Sequence, residues 1–292
     1  MGCLRNRALR AGAVAAAVGA AASYMAFEAQ WPRCRRLDLA VPGLPAAWSG
    51  VTVLHLSDVH AGLFATNELS LEKVLDWALP LRPDLVFLTG DMLGDRRRSV
   101  RCLELLARLR PPLGMFAVAG NHEYGLGKGP LARARDVHDL WIEAGAMLLS
   151  DCCAALPPRG GVRLVLCGAD YLTAGFGLRE LAAVRVTGSA YTGPSLLGDV
   201  DIFPILLIHQ PPPRDSPLAA LFPLAFAGHT HGGQLRLPGP SGLTPLLGSD
   251  SEHLAGVHRW GEGRLVVSRG VGTSFLPFRL LTRPEATLWR LV

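Results

Sequence analysis

The sequence predicts an α/β domain preceded by a single N-terminal apolar helix. Short apolar runs bounded by turn residues recur from about Gly50 onward, stretches of helical period lie between several of them, and one long uncharged segment opens the chain. Strands that alternate with helices bury a sheet beneath a helical layer, which defines the α/β class.

The chain opens on LRNRALR (4–10), with three arginines, followed by AGAVAAAVGAAASYMAF (11–27), with no charge. At about 1.5 Å per residue the uncharged stretch covers roughly 25 Å, slightly less than a hydrocarbon core of about 30 Å. Extension to Trp31 adds the missing length and an interfacial aromatic. Residues 1–31 therefore read first as a basic segment and a single-span anchor in a membrane, with the cytoplasmic membrane as its expected place. The Ala20–Ala21–Ala22 run also suits a signal-peptide cleavage site, and a soluble Ala-rich helix is a third reading. Arg5, Arg7 and Arg10 precede the segment while Arg33, Arg35 and Arg36 follow it, so the positive-inside rule leaves the membrane face of the domain open.

Residues 32–48 read as a linker and 49–292 as one domain. Its apolar runs are VTVLHLS (51–57), DLVFLTG (84–90), MFAVAG (115–120), VRLVLCG (162–168), FPILLIH (203–209) and PLAFAGH (223–229). They are short, mostly unbroken and flanked by turn residues, as buried strands are. Helices are expected over Asn67–Leu81, Val100–Leu109 and Leu131–Ala144, and prolines mark loops at 111–112, 157–158 and 211–213.

Composition narrows the partners. Hydrophobic residues form 49% of the 292, enough for a sizeable core. The net charge of +5 comes from scattered arginines, and the single run, Arg96–Arg98, reads as a solvated loop. No stripe of Lys and Arg interleaved with aromatics is present, so nucleic acid is not an expected partner. A mild positive balance suits anionic substrates or an anionic membrane surface. The six cysteines form no C-x-x-C pair and read as free thiols, which leaves the redox compartment open.

The chemistry gathers at the strand ends. Ser57-Asp58-Val59-His60 follows the first run, Gly90-Asp91 the second, and Gly120-Asn121-His122-Glu123 the third. His209 closes the fifth, and Gly228-His229-Thr230-His231 follows the sixth. Open α/β sheets bind ligands outside the carboxyl ends of their strands, so these clusters are expected to converge. Carboxylates, imidazoles and a neutral amide form a mixed oxygen and nitrogen set suited to Mn, Fe, Zn or Mg. A carboxylate between two such cations holds them about 3.5–4 Å apart, where they activate a shared water. Asp58 with His60, and His229 with His231, are each expected to offer two ligands from one side of an extended segment. Glycines 90, 120 and 228 are expected to permit tight turns and close approach.

This constellation resembles the calcineurin-like metallophosphoesterases, whose pattern of D-x-H, G-D, G-N-H-[DE], H and G-H-x-H is met in order by SDVH, TGD, AGNHEY, IHQPP and GHTHGG. The resemblance covers residues 51–233 and implies a four-layer α/β/β/α sandwich. It implies that Asp58, His60 and His231 hold one divalent metal ion, that Asn121, His209 and His229 hold a second, and that Asp91 bridges them. It implies that His122 is catalytic, stabilising charge or donating a proton during in-line attack on phosphorus by a water that the metals activate. The similarity continues through HGGQLRLPG, RGVGTSFLPFR and RPEATLWRL. With the N-terminal span, it is similar to the membrane-associated YaeI/YkuE-like branch, which includes enzymes hydrolysing UDP-2,3-diacylglucosamine in lipid A synthesis. The expected substrate is thus a phosphodiester or pyrophosphate, lipid-linked or nucleotide-linked. A phosphomonoesterase or protein phosphatase is the alternative, and a non-catalytic metal-binding scaffold a more distant one.

The remaining polar residues have blander expectations. His55 lies within a strand and reads as a core histidine, while His138, His253 and His258 read as surface or loop residues without companions. Glu123 and Tyr124 are expected to support the site, Asp170 to shape a turn, and Arg269 and Arg279 to lie where they could meet a phosphate or headgroup. LRLPGPSGLTPLLG (235–248) is apolar for a loop beside a metal site.

Overall fold

The computed structural model describes residues 2–94, 99–126, 138–173, 201–239, 242–246 and 251–292. The first element is α1 (Gly2–Glu28). Among the described residues, its Leu9–Glu28 stretch is long and apolar enough to cross a membrane, with a mean hydropathy of 1.3, and of that stretch the domain buries Glu28 alone.

Two six-stranded sheets follow. The first runs in the order β1 (Arg33–Leu39), β14 (Glu285–Leu291), β2 (Thr52–Leu56), β3 (Leu85–Thr89), β4 (Met115–Val118) and β5 (Met147–Leu148). The second runs β12 (Gly256–Trp260), β13 (Gly263–Val267), β9 (Leu224–Ala227), β8 (Asp201–Ile208), β7 (Val162–Ala169) and β6 (Cys152–Ala155). All six apolar runs of the sequence are strands, and the strands from β2 to β5 and from β13 to β7 are parallel.

The period of two along a strand sorts the core into layers. Val53, Phe87, Phe116, Leu164, Ile205 and Phe226 face one another between the sheets. Their neighbours Leu54, Val86 and Ala117 face α2 (Ala65–Ala78), α3 (Val100–Leu106) and α4 (His138–Glu143) on the outside of the first sheet. On the outside of the second sheet, Leu206 and Ala225 meet Leu218 and Phe222, in and just after the 3-10 turn Pro217–Ala220. Two sheets packed face to face, with helices outside the first and, among the described residues, the 3-10 turn outside the second, agree with the α/β sandwich expected.

The helix ends differ from expectation for local reasons. Helix α2 stops at Ala78 and passes into a 3-10 turn over Leu79–Leu81, because Pro80 cannot donate a backbone hydrogen bond within the helix. Helix α3 ends at Leu106, and Arg108 and Leu109 close tighter turns onto Leu105 and Leu106 before the Pro111–Pro112 pair. Of the helix expected over 131–144, residues 131–137 lie outside the described residues, as does the Arg96–Arg98 run.

The stretch read as a linker, 32–48, is part of the domain. Arg33–Leu39 is a full edge strand, parallel to β14 in a register from Arg33–Glu285 to Leu39–Leu291. Its charged residues disguise it, since an edge strand needs only one covered face and charge protects its open edge. Trp48 is fully buried between the sheets, and its indole N–H donates to the Val162 carbonyl at 3.0 Å.

The expectation of free thiols also needs correction. Cys153 and Cys167 stand directly opposite in the antiparallel β6–β7 pair and form a disulfide across a sequence separation of 14. Closing a loop of this length stabilises the fold by about 3 kcal/mol through the unfolded chain's lost entropy. Thermal unfolding with and without a reductant, and of Cys153→Ser/Cys167→Ser, should each show that loss; a melting temperature unchanged in both would contradict it.

Candidate metal centre

The site sits at the seam of the two sheets. Strands β2, β3 and β4 of the first sheet deliver Asp58 and His60, Asp91, and Asn121 and His122; strands β8 and β9 of the second deliver His209, and His229 and His231. Every sequence-predicted site residue thus lies just beyond a strand's carboxyl end, and both sheets contribute.

The backbone there is not extended, contrary to expectation. Asp58, His60, Asp91, His229 and His231 all have φ between 48° and 71°, in the left-handed region. Such a conformation costs a residue with a Cβ about 1–3 kcal/mol and persists only where the surroundings enforce it. The enforcing contacts are loop to loop. Asp58 N–H donates to Gly90 O at 3.0 Å, His60 N–H to Asp91 O at 2.9 Å, and Gly228 N–H to His209 O at 2.9 Å. Close approach requires glycine at two of these turns. A Cβ on Gly90 would strike the His209 ring and stand 2.8 Å from the Gly120 nitrogen, and one on Gly228 would strike the side chains of Ser57 and Asp58.

Two donor clusters result, sharing Asp91. In one, His60 Nε2 lies 3.0 Å from His231 Nε2, and His231 Nε2 lies 3.5 Å from Asp58 Oδ1. In the other, His229 Nδ1 lies 3.1 Å from both Asn121 Oδ1 and His209 Nε2. Asp91 Oδ2 stands between them, 3.6 Å from His60 Nε2 and 3.4 Å from His209 Nε2. The His122 N–H donates to Asp91 Oδ1 at 2.8 Å, and the His122 ring meets the His60 ring edge-on.

This geometry fits divalent cations. Nitrogen donors about 2.0–2.1 Å from a common metal stand about 3 Å apart when adjacent, which is the spacing of the facing ring nitrogens here. Burial holds His60 at about 3 and His231 well below the usual imidazole value, so both rings are neutral and keep lone pairs for a metal. Burial disfavours charge on His209 as well, but the Asp91 carboxylate outweighs it and raises that ring to about 10. Burial pushes Asp58 up to about 7, against the pull of His209. Positive charge is thus favoured on His209, beside Asp91, and disfavoured on the His60 and His231 rings.

Surrounding residues hold the clusters in place. Glu123 is fully buried and accepts backbone N–H groups from Asp91 (2.8 Å), Met92 (2.7 Å), Leu93 (3.1 Å) and Gly120 (2.8 Å), binding two loops together. Glu123→Gln turns an NH2 donor onto such N–H groups, and should cost about 2–4 kcal/mol in denaturant unfolding; a variant of wild-type stability would refute the clamp. Arg279 is equally buried, and donates to the carbonyls of His231 (3.2 Å), Thr282 (3.0 Å) and Arg269 (2.8 Å). It therefore supports the site from within and is not placed to meet a headgroup. Arg269 pairs with Glu285 at 3.8 Å.

His55 is the core histidine expected, bonded to Thr89 Oγ1 at 2.9 Å. His253 departs from expectation: it is buried, and its ring lies 4.6 Å from that of His258. The side chain of His138 lies outside the described residues. Asp170 shapes its turn by accepting from Tyr124, Ser150 and Leu172 N–H. That turn aims Tyr171, which sequence reasoning missed, at the site, with its ring 6.0 Å from that of His209. The aromatic following an Asp at a strand end was the available signal. A cleft of about 450 Å³ opens over the clusters, lined by Asp91, Asn121, His122, Tyr171, Ser274 and Phe275 among others.

A sandwich of two sheets with paired oxygen and nitrogen clusters meeting at one aspartate defines a metal-dependent hydrolase of phosphoesters. The chain belongs to the calcineurin-like phosphoesterase family, whose pattern matches residues 51–233. It is 29% identical over 254 residues to the metallophosphoesterase YkuE of Bacillus subtilis, covering 85% of this chain and 81% of that one. It is 28% identical over 301 residues to the phosphodiesterase YaeI of Escherichia coli, covering 99% of each. A transmembrane protein with metallophosphoesterase domain from Danio rerio is 29% identical over 265 residues, 89% of this chain and 57% of that one.

Proposed function

We propose that the protein hydrolyses a phosphodiester or pyrophosphate bond in a lipid-linked substrate at a membrane surface, using two divalent cations. The observation that carries this reading is the position of Asp91 Oδ2 between two otherwise separate donor clusters. Asp58, His60 and His231 would hold one cation, Asn121, His209 and His229 the other, with Asp91 shared. When bound, the pair would supply an activated water and neutralise charge on the phosphoryl oxygens. His122, half-buried beside Asp91 and lining the cleft, would donate a proton to the leaving oxygen, a role its position supports. Tyr171 and Phe275 would flank the departing group.

Diester chemistry and a membrane are supported by the similarity to YaeI, a phosphodiesterase, by that to a relative named as a transmembrane protein, and by α1 itself. The Cys153–Cys167 disulfide bears on the choice of substrate, because disulfides persist in oxidising compartments. It favours a domain on the non-cytoplasmic face and a lipid-linked phosphoester there. It weighs against UDP-2,3-diacylglucosamine, a nucleotide-linked lipid A precursor that requires the cytoplasmic side. A phosphomonoesterase remains the competing activity.

The test offers the purified full chain, with Mn²⁺, bis-p-nitrophenyl phosphate, p-nitrophenyl phosphate and UDP-2,3-diacylglucosamine. Diester turnover that a chelator abolishes and added Mn²⁺ restores is expected. Turnover of the monoester alone would make it a phosphomonoesterase, and turnover of the UDP-lipid would return the domain to the cytoplasmic side.

A further inference from the structure

The C-terminal end of α1 is built into the domain beside the cleft. Glu28 is buried and accepts from Leu281 N–H at 3.0 Å and Thr282 N–H at 2.7 Å, while Arg279 N–H donates to Met25 O at 3.1 Å. Arg283 donates to Trp31 O at 2.9 Å and lies over the Trp31 ring. The strap carrying these contacts, residues 274–283, binds on its other side to the chain leaving the site. Leu280 N–H donates to Gln234 O and Arg236 N–H to Leu280 O, and the Gln234 side chain reaches Leu276 O and Ser274 N–H. From Arg236 the chain enters the hairpin β10 (Arg236–Gly239) and β11 (Gly242–Pro245). Helix end, strap and hairpin are thus one hydrogen-bonded unit on the rim of the cleft.

That rim is unusually apolar. Trp31 at the helix end, Phe275 and Leu281 on the strap, Leu237 and Leu243 on the hairpin and Leu246 just after it are all exposed, Phe275 to 61% and Leu246 to 56%. Arg236 and Arg283 stand among them. Apolar side chains interleaved with arginine and an aromatic at the end of a spanning helix have the chemistry of the bilayer interface, where the apolar groups enter the acyl boundary and the cations meet anionic headgroups.

We propose that strands β10 and β11 and the strap 274–283 form a second membrane contact, docked into the bilayer interface next to α1. The cleft mouth at Ser274 and Phe275 would then open at the lipid surface. This rests on the reading of α1 as a membrane span. It makes the bilayer the occupant of the rim, because the same strap that carries the exposed residues is bonded to the last turn of the helix. A helix crossing the membrane brings that strap to the surface without further folding.

The experiment reconstitutes the full chain in vesicles of phosphatidylcholine and phosphatidylglycerol, with Cys3, Cys34 and Cys152 replaced by Ser. An environment-sensitive fluorophore is attached in turn at Leu243→Cys, Phe275→Cys, Val14→Cys in α1, and Glu262→Cys, on the turn entering β13 at the opposite end of the sheets. Lipids carrying a quencher at the acyl boundary are then introduced. Quenching at 243, 275 and 14 but not 262 is the expected result. Quenching at 14 without any at 243 and 275 would overturn the docked rim while leaving the anchor intact. No quenching at 14 would remove the membrane reading, and the docked rim with it.

Discussion

Asp91→Asn is expected to lower diester turnover about a thousandfold or more, a loss of about 4 kcal/mol in transition-state stabilisation. The substitution keeps the size of the side chain, and the amide oxygen can still accept the His122 N–H that now donates to Oδ1 at 2.8 Å. It removes the negative charge and the second oxygen from the point between His60 and His209. Two cations that share a carboxylate repel each other once that charge is gone, so the bound metal should fall from two ions per chain towards one. Elemental analysis of wild type and variant, purified side by side with Mn²⁺, reads the metal loss independently of activity. A variant that keeps both metals and works within about tenfold of wild type would show that Asp91 is not shared.

His122→Ala is expected to reduce kcat by about 10²–10⁴-fold, the range for a positioned proton donor. The ring touches His60 edge-on and is half-buried beside the cleft, while its backbone, rather than its ring, holds Asp91. Metal content and melting temperature should therefore be unchanged. A proton donor matters most when the leaving oxygen is a poor one, so the loss should be larger on an alkyl diester than on the p-nitrophenyl compound. Equal losses on both would assign His122 to charge stabilisation, and a fall in bound metal would make it a ligand.

Much of this protein was legible from residue pattern. The six apolar runs are six strands because a short run of buried residues bounded by Gly, Pro, Asp or Asn has few other ways to satisfy its backbone. Strand β1 was not legible. RCRRLDL looks solvated, and its partner Glu285–Leu291 lies some 250 residues further along the chain. The disulfide escaped for a different reason, since only the β6–β7 register places Cys153 opposite Cys167 while Cys152 remains exposed. Arg279 gave no sequence signal of burial, because a charged residue between loops is normally solvated.

Residue order alone dictates which chemistry the chain carries. Asp58, His60, Asp91, Asn121, His122, His209, His229 and His231 follow strand signals in one order, and residue type with strand polarity suffices to send them to one end of the fold. How they meet is a matter of packing in three dimensions. The fold draws them from two facing sheets, turns five of them into left-handed backbone held by bonds between neighbouring loops, and sets Asp91 between the clusters. It also joins the end of α1 to the rim of the cleft through Glu28 and the strap. Those are contacts between segments far apart in sequence, whose distances follow from packing and not from any local preference of the residues involved.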